Sequence, residues 1–190
     1  LEEIQSHQSF YFTACIFAAV ALPLVSFVLS LVISEKYSWI VSISAPFLLL
    51  LSTAAAGVVF YTTWNNQPFT VQWDWFNCAG YTFTAGILIN NVASLMLLLV
   101  TFVSFIIHSY STAYMAGDPY FRQYFAMLGF FTFSMLGIVV ADNLLLIFIF
   151  WELVGFSSYM LIGHWREKPE AADAAKRAFI FNRVGDMGFL

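Results

Sequence analysis

A single glutamate, Glu152, lies within an otherwise apolar segment that runs from Leu144 to Gly163. The segment is long enough to cross a bilayer, so its carboxyl group is predicted near the membrane centre. A carboxylate at that depth costs roughly 3 kcal/mol on insertion scales, and such residues usually face protein or water and mark ion paths. We therefore predict that Glu152 takes up and releases protons. A structural ion pair that only fixes helix packing is the alternative.

A second group of charged residues has the spacing of one helix face. Its members are separated by three, seven and three positions along the chain: Asp173, Lys176, Arg183 and Asp186. A helix rises about 15 Å from Lys176 to Asp186, which carries the group from the interface towards mid-membrane. Arg183 and Asp186 could neutralise each other, and Lys176 could simply extend its ammonium group to the interface.

The face of the helix that carries Glu152 is asymmetric. A helical wheel places five residues on this face with the glutamate: Leu145, Phe148, Gly155, Tyr159 and Gly163. The half with small residues and the Tyr159 hydroxyl is predicted to be the cytoplasmic half, so protons are predicted to reach Glu152 from that side. Burial favours the protonated form of a carboxyl group and a nearby cation favours the ionised form, so a group between these influences can load and release a proton.

His108 is a further candidate, because it closes the third apolar segment beside several hydroxyl residues. A histidine there could relay protons near neutral pH, or it could be satisfied by lipid headgroups and water. The chain has no zinc, iron–sulfur or haem spacing and no dinucleotide or phosphate loop. We therefore predict that it binds no metal and no cofactor, and that its energy comes from elsewhere or from an ion gradient.

The composition predicts a membrane protein that positions these residues on spanning helices. Hydrophobic residues make up 61% and charged residues 9% of the chain, and the mean hydropathy is +0.82. We predict an all-α, multi-pass bundle that forms one membrane domain over residues 1–190. Its helices are predicted at 10–34, 39–64, 86–115, 122–141 and 143–163, with a sixth at 171–190 that the end of the chain interrupts. Because the chain begins at Leu1 and stops in an apolar run, we expect a fragment of a larger protein.

The basic residues predict the orientation. Six of the 7 lysines and arginines fall on or beside the first, third and fifth loops: Lys36, Arg122, Arg166, Lys168, Lys176 and Arg177. The positive-inside rule then places these loops in the cytoplasm and the N-terminus outside. The stretch between the second and third helices contains Trp64, Trp73 and Trp75 among turn-forming residues, and is predicted to be an outer loop at the headgroups.

Three runs of sequence resemble a known family. They are 141–146 (ADNLLL), 151–163 (WELVGFSSYMLIG) and 182–186 (NRVGD), and 108–115 (HSYSTAYM) adds to them. Together they are similar to the distal antiporter-like subunits of respiratory complex I, the subunit L or chain 5 family. The last of the three main runs favours this family over the related Mrp-type antiporters.

The resemblance implies an antiporter-like fold with inverted repeats and a proton-translocating function coupled to NADH–quinone electron transfer. In the family, the acid that matches Glu152 pairs with a lysine on a later helix, and the positions that match Arg183 and Asp186 tune its proton affinity. NADH, FMN, iron–sulfur clusters and quinone would bind to other subunits.

The resemblance also implies partners and a location. The partners would be the other membrane and peripheral subunits, especially adjacent antiporter-like subunits, and lipid, but not nucleic acid. The location would be a bacterial inner membrane, with the mitochondrial inner membrane as an alternative. An Mrp-type Na⁺/H⁺ antiporter subunit, an inorganic-carbon uptake subunit and a scaffold with structural ion pairs remain the alternative functions.

Overall fold

The computed structural model describes residues 2–64, 66–78 and 81–189, and within them the chain forms six α-helices and one β-hairpin. The elements in chain order are α1 (Glu2–Val32), a 3₁₀ turn (Glu35–Tyr37), α2 (Ser38–Thr63), β1 (Phe69–Cys78), β2 (Tyr81–Ile89), α3 (Asn91–Tyr114), α4 (Phe121–Val140), α5 (Leu144–Ile162) and α6 (Pro169–Phe189). Of these helices, α1 to α5 are long and apolar enough to cross a membrane. The helical, multi-pass prediction is therefore confirmed. The sixth helix forms where it was predicted, but it is too polar to meet the same measure.

The helices pack in a chain of neighbours. α1 lies against α2 and α4, α2 also contacts α3, α4 contacts α5, and α5 contacts α6. The main core joins the first four helices to the end of the hairpin through fully or nearly fully buried residues: Ile16, Ala19, Ala56, Val59, Ile89, Leu97, Leu136 and Val140. Small residues bring helices close together, as at Gly129, where an added Cβ would lie 3.0 Å from the Pro23 carbonyl oxygen of α1.

A proline inside α1 creates a polar requirement that α2 fulfils. Pro23 has no N–H group, so the carbonyl of Ala19, four residues earlier, loses its helical partner. The Ser52 hydroxyl of α2 donates a hydrogen bond of 2.6 Å to that carbonyl at a fully buried position. In the core of a membrane no water is available to hydrogen-bond such a carbonyl, so the bond from Ser52 links the two helices.

We expect Ser52→Ala to lower the free energy of unfolding of the full-length protein by about 1 kcal/mol, the scale of interhelical hydrogen bonds in membranes. The matched control is the same substitution in a Pro23→Ala background, where the backbone regains the missing N–H group and the loss should shrink. Unfolding in mixed detergent measures both. An equal loss in the two backgrounds would contradict the assignment.

The segment between α2 and α3, which was predicted to be an outer loop at the headgroups, forms a β-hairpin. β1 and β2 pair antiparallel, with Phe69 opposite Ile89 and a bulge between Asp74 and Phe76. The prediction that the third helix begins at residue 86 was wrong, since residues 86–89 belong to β2 and α3 begins at Asn91. Asn90 sets this boundary, because its side-chain oxygen accepts a 2.8 Å hydrogen bond from the Ala93 N–H in the first turn.

Candidate functional site

The predicted face of α5 lies against α6. The Phe148 ring stacks on Phe189 with 5.7 Å between centroids, and the Tyr159 ring lies 5.4 Å from that of Phe179. An added Cβ at Gly163 would lie 3.2 Å from the Cβ of Ala175. The small residues of this face thus allow close contact between the two helices.

Open space lies beside Tyr159. Two open grooves of about 420 and 330 Å³ flank the α5–α6 contact, and both are lined by Tyr159 and Lys176. The approach of protons to Glu152 along this half of the face stays a prediction. If protons follow it, they would pass through these grooves.

Glu152, Arg183 and Asp186 meet in one cluster at the α5–α6 contact. An Nη1 nitrogen of Arg183 contacts Oε2 of Glu152 directly and lies 3.8 Å from Oδ2 of Asp186. The side chain of Glu152 is 20% exposed and that of Asp186 is 9% exposed, whereas Arg183 is 48% exposed. Helical spacing predicted an Arg183–Asp186 pair; the structure shows one guanidinium between two carboxylates.

The cluster has an excess of negative charge when both carboxyl groups are ionised. One guanidinium compensates one of the two carboxylates, so a proton or a second cation is needed to complete neutralisation. Oε1 of Glu152 is buried and has no hydrogen-bond partner among the described residues. This oxygen is therefore an acceptor of the cluster that none of the described residues satisfies.

Trp151 belongs to the cluster, and sequence reasoning did not select it. Its indole Nε1–H donates a 3.0 Å hydrogen bond to Oδ1 of Asp186. Trp151 precedes Glu152 directly, so it lies 100° away on the helical wheel and outside the narrow face that was considered. The signal that could have found it is an indole donor beside a predicted intramembrane acid, since buried indole N–H groups usually find an acceptor.

The hairpin positions the start of α5. The Gln72 side chain of β1 donates a 2.9 Å hydrogen bond to Oδ2 of Asp142, and the Asn143 side chain donates one of 2.9 Å to the Thr84 carbonyl of β2. The side-chain oxygen of Asn143 also accepts the Leu146 N–H at 2.9 Å and so caps α5. The capping residue of the helix that carries Glu152 is thus bonded to the hairpin.

Asp118, in the loop between α3 and α4, holds the other end of α5. Its carboxylate accepts hydrogen bonds from the Trp165 indole at 2.9 Å and the Tyr120 backbone at 2.7 Å, and it lies 3.3 Å from Nε2 of His164. Burial by itself raises the pKa of the Asp118 carboxyl, but these hydrogen bonds and the attraction of His164 outweigh burial and hold the pKa below its usual value. The start of α5 is therefore bonded to the hairpin, and the residues just after its end are bonded to the α3–α4 loop.

His108 lies at the contact between α3 and α4, whereas Glu152 lies between α5 and α6. The histidine is fully buried, its Nδ1 is 2.8 Å from the Ser104 carbonyl oxygen, and the ring of Phe125 lies 5.9 Å away. The alternative in which lipid headgroups and water satisfy this side chain was wrong, because the described bundle encloses it. Its proposed part in a proton path stays a prediction.

Lys176 lies on the exposed part of α6. Its ammonium group is 3.5 Å from Asp173, and both side chains are largely exposed. Such surface pairs contribute little stability, so the geometry fits an interfacial lysine. Its part in a proton path also stays a prediction.

Two family profiles match the chain. Residues 75–125 match the family described as NADH-Ubiquinone oxidoreductase (complex I), chain 5 N-terminus. Residues 141–190 match the family described as NADH:quinone oxidoreductase/Mrp antiporter, TM. Together the two matches cover more than half of the chain and include the whole α5–α6 cluster.

Curated relatives agree with these matches. The chain is 42% identical over 146 residues to NAD(P)H-quinone oxidoreductase subunit 5, chloroplastic, of Anthoceros angustus, which covers 74% of this chain and 20% of that protein. It is 38% identical over 152 residues to NAD(P)H-quinone oxidoreductase chain 5 of Picosynechococcus sp., and this match covers 78% of this chain and 23% of that protein. The chain thus spans about a fifth of the length of these relatives.

Solved structures share the fold. The membrane-bound sulfane sulfur reductase, an archaeal respiratory membrane complex, contains a chain with a TM-score of 0.74 at 20% identity, covering 90% of this chain and 34% of that one. A chain of the Mrp complex from Dietzia sp. DQ12-45-1b has a TM-score of 0.73 at 18% identity. The match covers 94% of this chain and 18% of that one.

The fold and the sequence matches define a class of multi-pass, antiporter-like membrane subunits. This chain belongs to that family, which NADH:quinone oxidoreductase and Mrp antiporters share, and it corresponds to the N-terminal part of its chain 5 members. The resemblance drawn from the three runs of sequence is confirmed.

Proposed function

We propose that this chain translocates protons across a membrane as part of an NAD(P)H:quinone oxidoreductase, and that Glu152 is the group that takes up and releases them. The observation that carries the proposal is the single guanidinium of Arg183 that contacts Glu152 and also lies near Asp186. The names of the curated relatives support electron transfer from NAD(P)H to quinone as the reaction that drives translocation.

The cluster supplies a simple means of changing the protonation of Glu152. While Arg183 contacts Glu152, its positive charge favours the carboxylate; when the guanidinium moves towards Asp186, the apolar surroundings favour the protonated acid. Alternation between these two arrangements would load and unload a proton. Quinone reduction elsewhere in the complex would bias the alternation, because a conformational change needs a difference in free energy between the two states.

The remaining parts of the proposal concern partners and location. NADH or NADPH, FMN, iron–sulfur clusters and quinone would bind to other subunits, and adjacent antiporter-like subunits and lipid would cover the exposed helix faces. The positions of the basic loops support a cytoplasmic side for Arg166 and Lys168 and an outer N-terminus. The cyanobacterial relative supports a bacterial membrane.

An Mrp-type sodium/proton antiporter subunit is the second candidate. Two observations favour it: one of the two family profiles includes Mrp antiporters, and the Mrp complex shares the fold. The two candidates differ in what drives the proton. A redox-driven subunit needs electron transfer to quinone, whereas an antiporter needs an opposing gradient of sodium.

We expect the intact complex in sealed vesicles to move protons when NAD(P)H and quinone are added, at the same rate in sodium and in choline medium. A pH-sensitive dye measures the movement, and a protonophore that collapses the signal is the control. Proton movement that follows an imposed sodium gradient and ignores NAD(P)H would favour the antiporter.

A further inference from the structure

We propose that Trp151 is a positioning residue that directs Arg183 to Glu152 by satisfying Asp186. Trp151 and Glu152 are adjacent in α5, yet the indole N–H donates across the helix contact to Oδ1 of Asp186, at 3.0 Å. This inference rests on the proposed function of Glu152 and adds the residue that sets its resting partner.

The geometry shows how the two donors, Trp151 and Arg183, are divided between the two carboxylates. Arg183 contacts Glu152 directly, while its distance to Oδ2 of Asp186 is 3.8 Å, beyond hydrogen-bond length. Asp186 is nonetheless the more buried of the two carboxyl groups. Its short polar contact is the indole of Trp151, and hydrogen bonds to an ionised acceptor are about twice as strong as neutral ones.

An indole is well suited to this task. It donates one hydrogen bond, accepts none, and does not ionise at physiological pH. It therefore stabilises the carboxylate of Asp186 without adding charge to the cluster. The guanidinium, which is the sole full positive charge in contact with the two carboxylates among the described residues, remains available to Glu152.

Loss of the indole N–H should reverse this division. A buried carboxylate oxygen without a partner is costly, and the Arg183 guanidinium, 3.8 Å from the other oxygen of Asp186, is a donor that can replace the indole. As the guanidinium moves towards Asp186, Glu152 loses its cation and holds its proton more firmly. The protonation of Glu152 then changes although no atom in contact with its carboxylate was removed.

The helices around the cluster contribute few other titratable groups. α4, which also packs against α5, carries Arg122 and Tyr124 in its first turn, and Arg122 donates hydrogen bonds there to carbonyls of α1. The remaining titratable residues of α5 and α6 all precede Arg183 by several positions: Tyr159 on α5, and Glu170, Asp173, Lys176 and Arg177 on α6. The cluster itself therefore dominates the electrostatics at Glu152.

The experiment follows the C=O infrared band of protonated Glu152 against pH in the intact complex, with the band assigned by its disappearance in Glu152→Gln. Three variants remove or restore the donor. Trp151→Phe keeps a ring without an N–H, Trp151→Gln restores an N–H at the same number of bonds from Cβ, and Trp151→Met matches the length of glutamine without a donor. Trp165→Phe, which removes an indole bond to Asp118 outside the cluster, is the matched control.

In Trp151→Phe we expect the midpoint of the Glu152 band to rise by about one pH unit, a tenfold gain in proton affinity. Glutamine should return it towards the wild-type value and methionine should not, which keeps the comparison available even if the phenylalanine variant fails to assemble. Trp165→Phe should leave the midpoint unchanged. A shift confined to the Asp186 band, or equal midpoints for glutamine and methionine, would overturn the inference while the proposed function stands. A wild-type Glu152 band that neither titrates nor changes during turnover would overturn both.

Discussion

Replacing Glu152 by glutamine should slow proton transfer through this chain by at least about 100-fold, the lower end of what a positioned acid or base contributes to proton transfer. The protons moved per NAD(P)H oxidised by the complex should fall accordingly. Glutamine has nearly the same shape as glutamate but cannot ionise. Arg183 keeps Asp186 as a partner in this variant, so the helix contact should survive. The measurement is proton uptake into vesicles together with quinone reduction, both made on the assembled complex.

The control for this variant is Glu35→Gln. Glu35 lies exposed in the 3₁₀ turn between α1 and α2 and undergoes the same chemical change, so translocation should be unaffected. If Glu152→Gln assembles, transfers electrons and still moves protons at the wild-type ratio, the cluster is a scaffold of structural ion pairs. That result would end the proposal that Glu152 carries the proton.

Gly86→Ala should have the largest effect on stability, with a loss of roughly 2 to 3 kcal/mol, the upper range for overpacking a tight site. Gly86 is buried in β2, where an added Cβ would collide with the Asp142 carboxylate and lie 2.7 Å from the Val71 carbonyl oxygen. The backbone of β1 cannot withdraw without breaking the hairpin pairing between Val71 and Ile87. The contact between the hairpin and the start of α5 should therefore be lost.

Gly185→Ala is the matched control, because an added Cβ there meets nothing within 4 Å. Within a helix such as α6 alanine is also favoured over glycine, by about 1 kcal/mol. Thermal unfolding of the full-length protein in detergent should show a lower midpoint for Gly86→Ala and an equal or higher midpoint for Gly185→Ala. Equal midpoints for Gly86→Ala and wild type would contradict the close packing of the hairpin against Asp142.

The membrane helices could be predicted from the sequence because hydropathy and length are local properties. The predicted spans 39–64, 122–141 and 143–163 differ from α2, α4 and α5 by one residue at each end. The hairpin was not predicted, because its tryptophans and turn-forming residues indicated only an outer loop at the headgroups. The threonines of β2, Thr82 and Thr84, are residues that favour strands, and they were the available signal.

The meeting of Glu152 with Arg183 and Asp186 could be anticipated, since helical spacing put each on one face and the family resemblance joined the faces. The contacts that hold α5 in place could not be predicted from the sequence. The hydrogen bond from Gln72 to Asp142 joins residues 70 positions apart, and that from Trp165 to Asp118 joins residues 47 apart. No periodicity in the chain encodes such pairings, because they arise only when the loops are brought together by the folded bundle.

Hydrogen bonds at both ends hold α5 in a fixed position. The hairpin is hydrogen-bonded to the residue that caps its first turn, and Asp118 is hydrogen-bonded to Trp165 just after its last turn. Within residues 2–64, 66–78 and 81–189, α6 makes its main contacts with α5. We therefore propose that α6 carries any sliding or rolling of one helix on the other, and that it would take Arg183 and Asp186 with it while Glu152 stays at a constant depth. A conformational change in neighbouring subunits would accordingly act on α6. Displacement of that one helix would then change the protonation of Glu152.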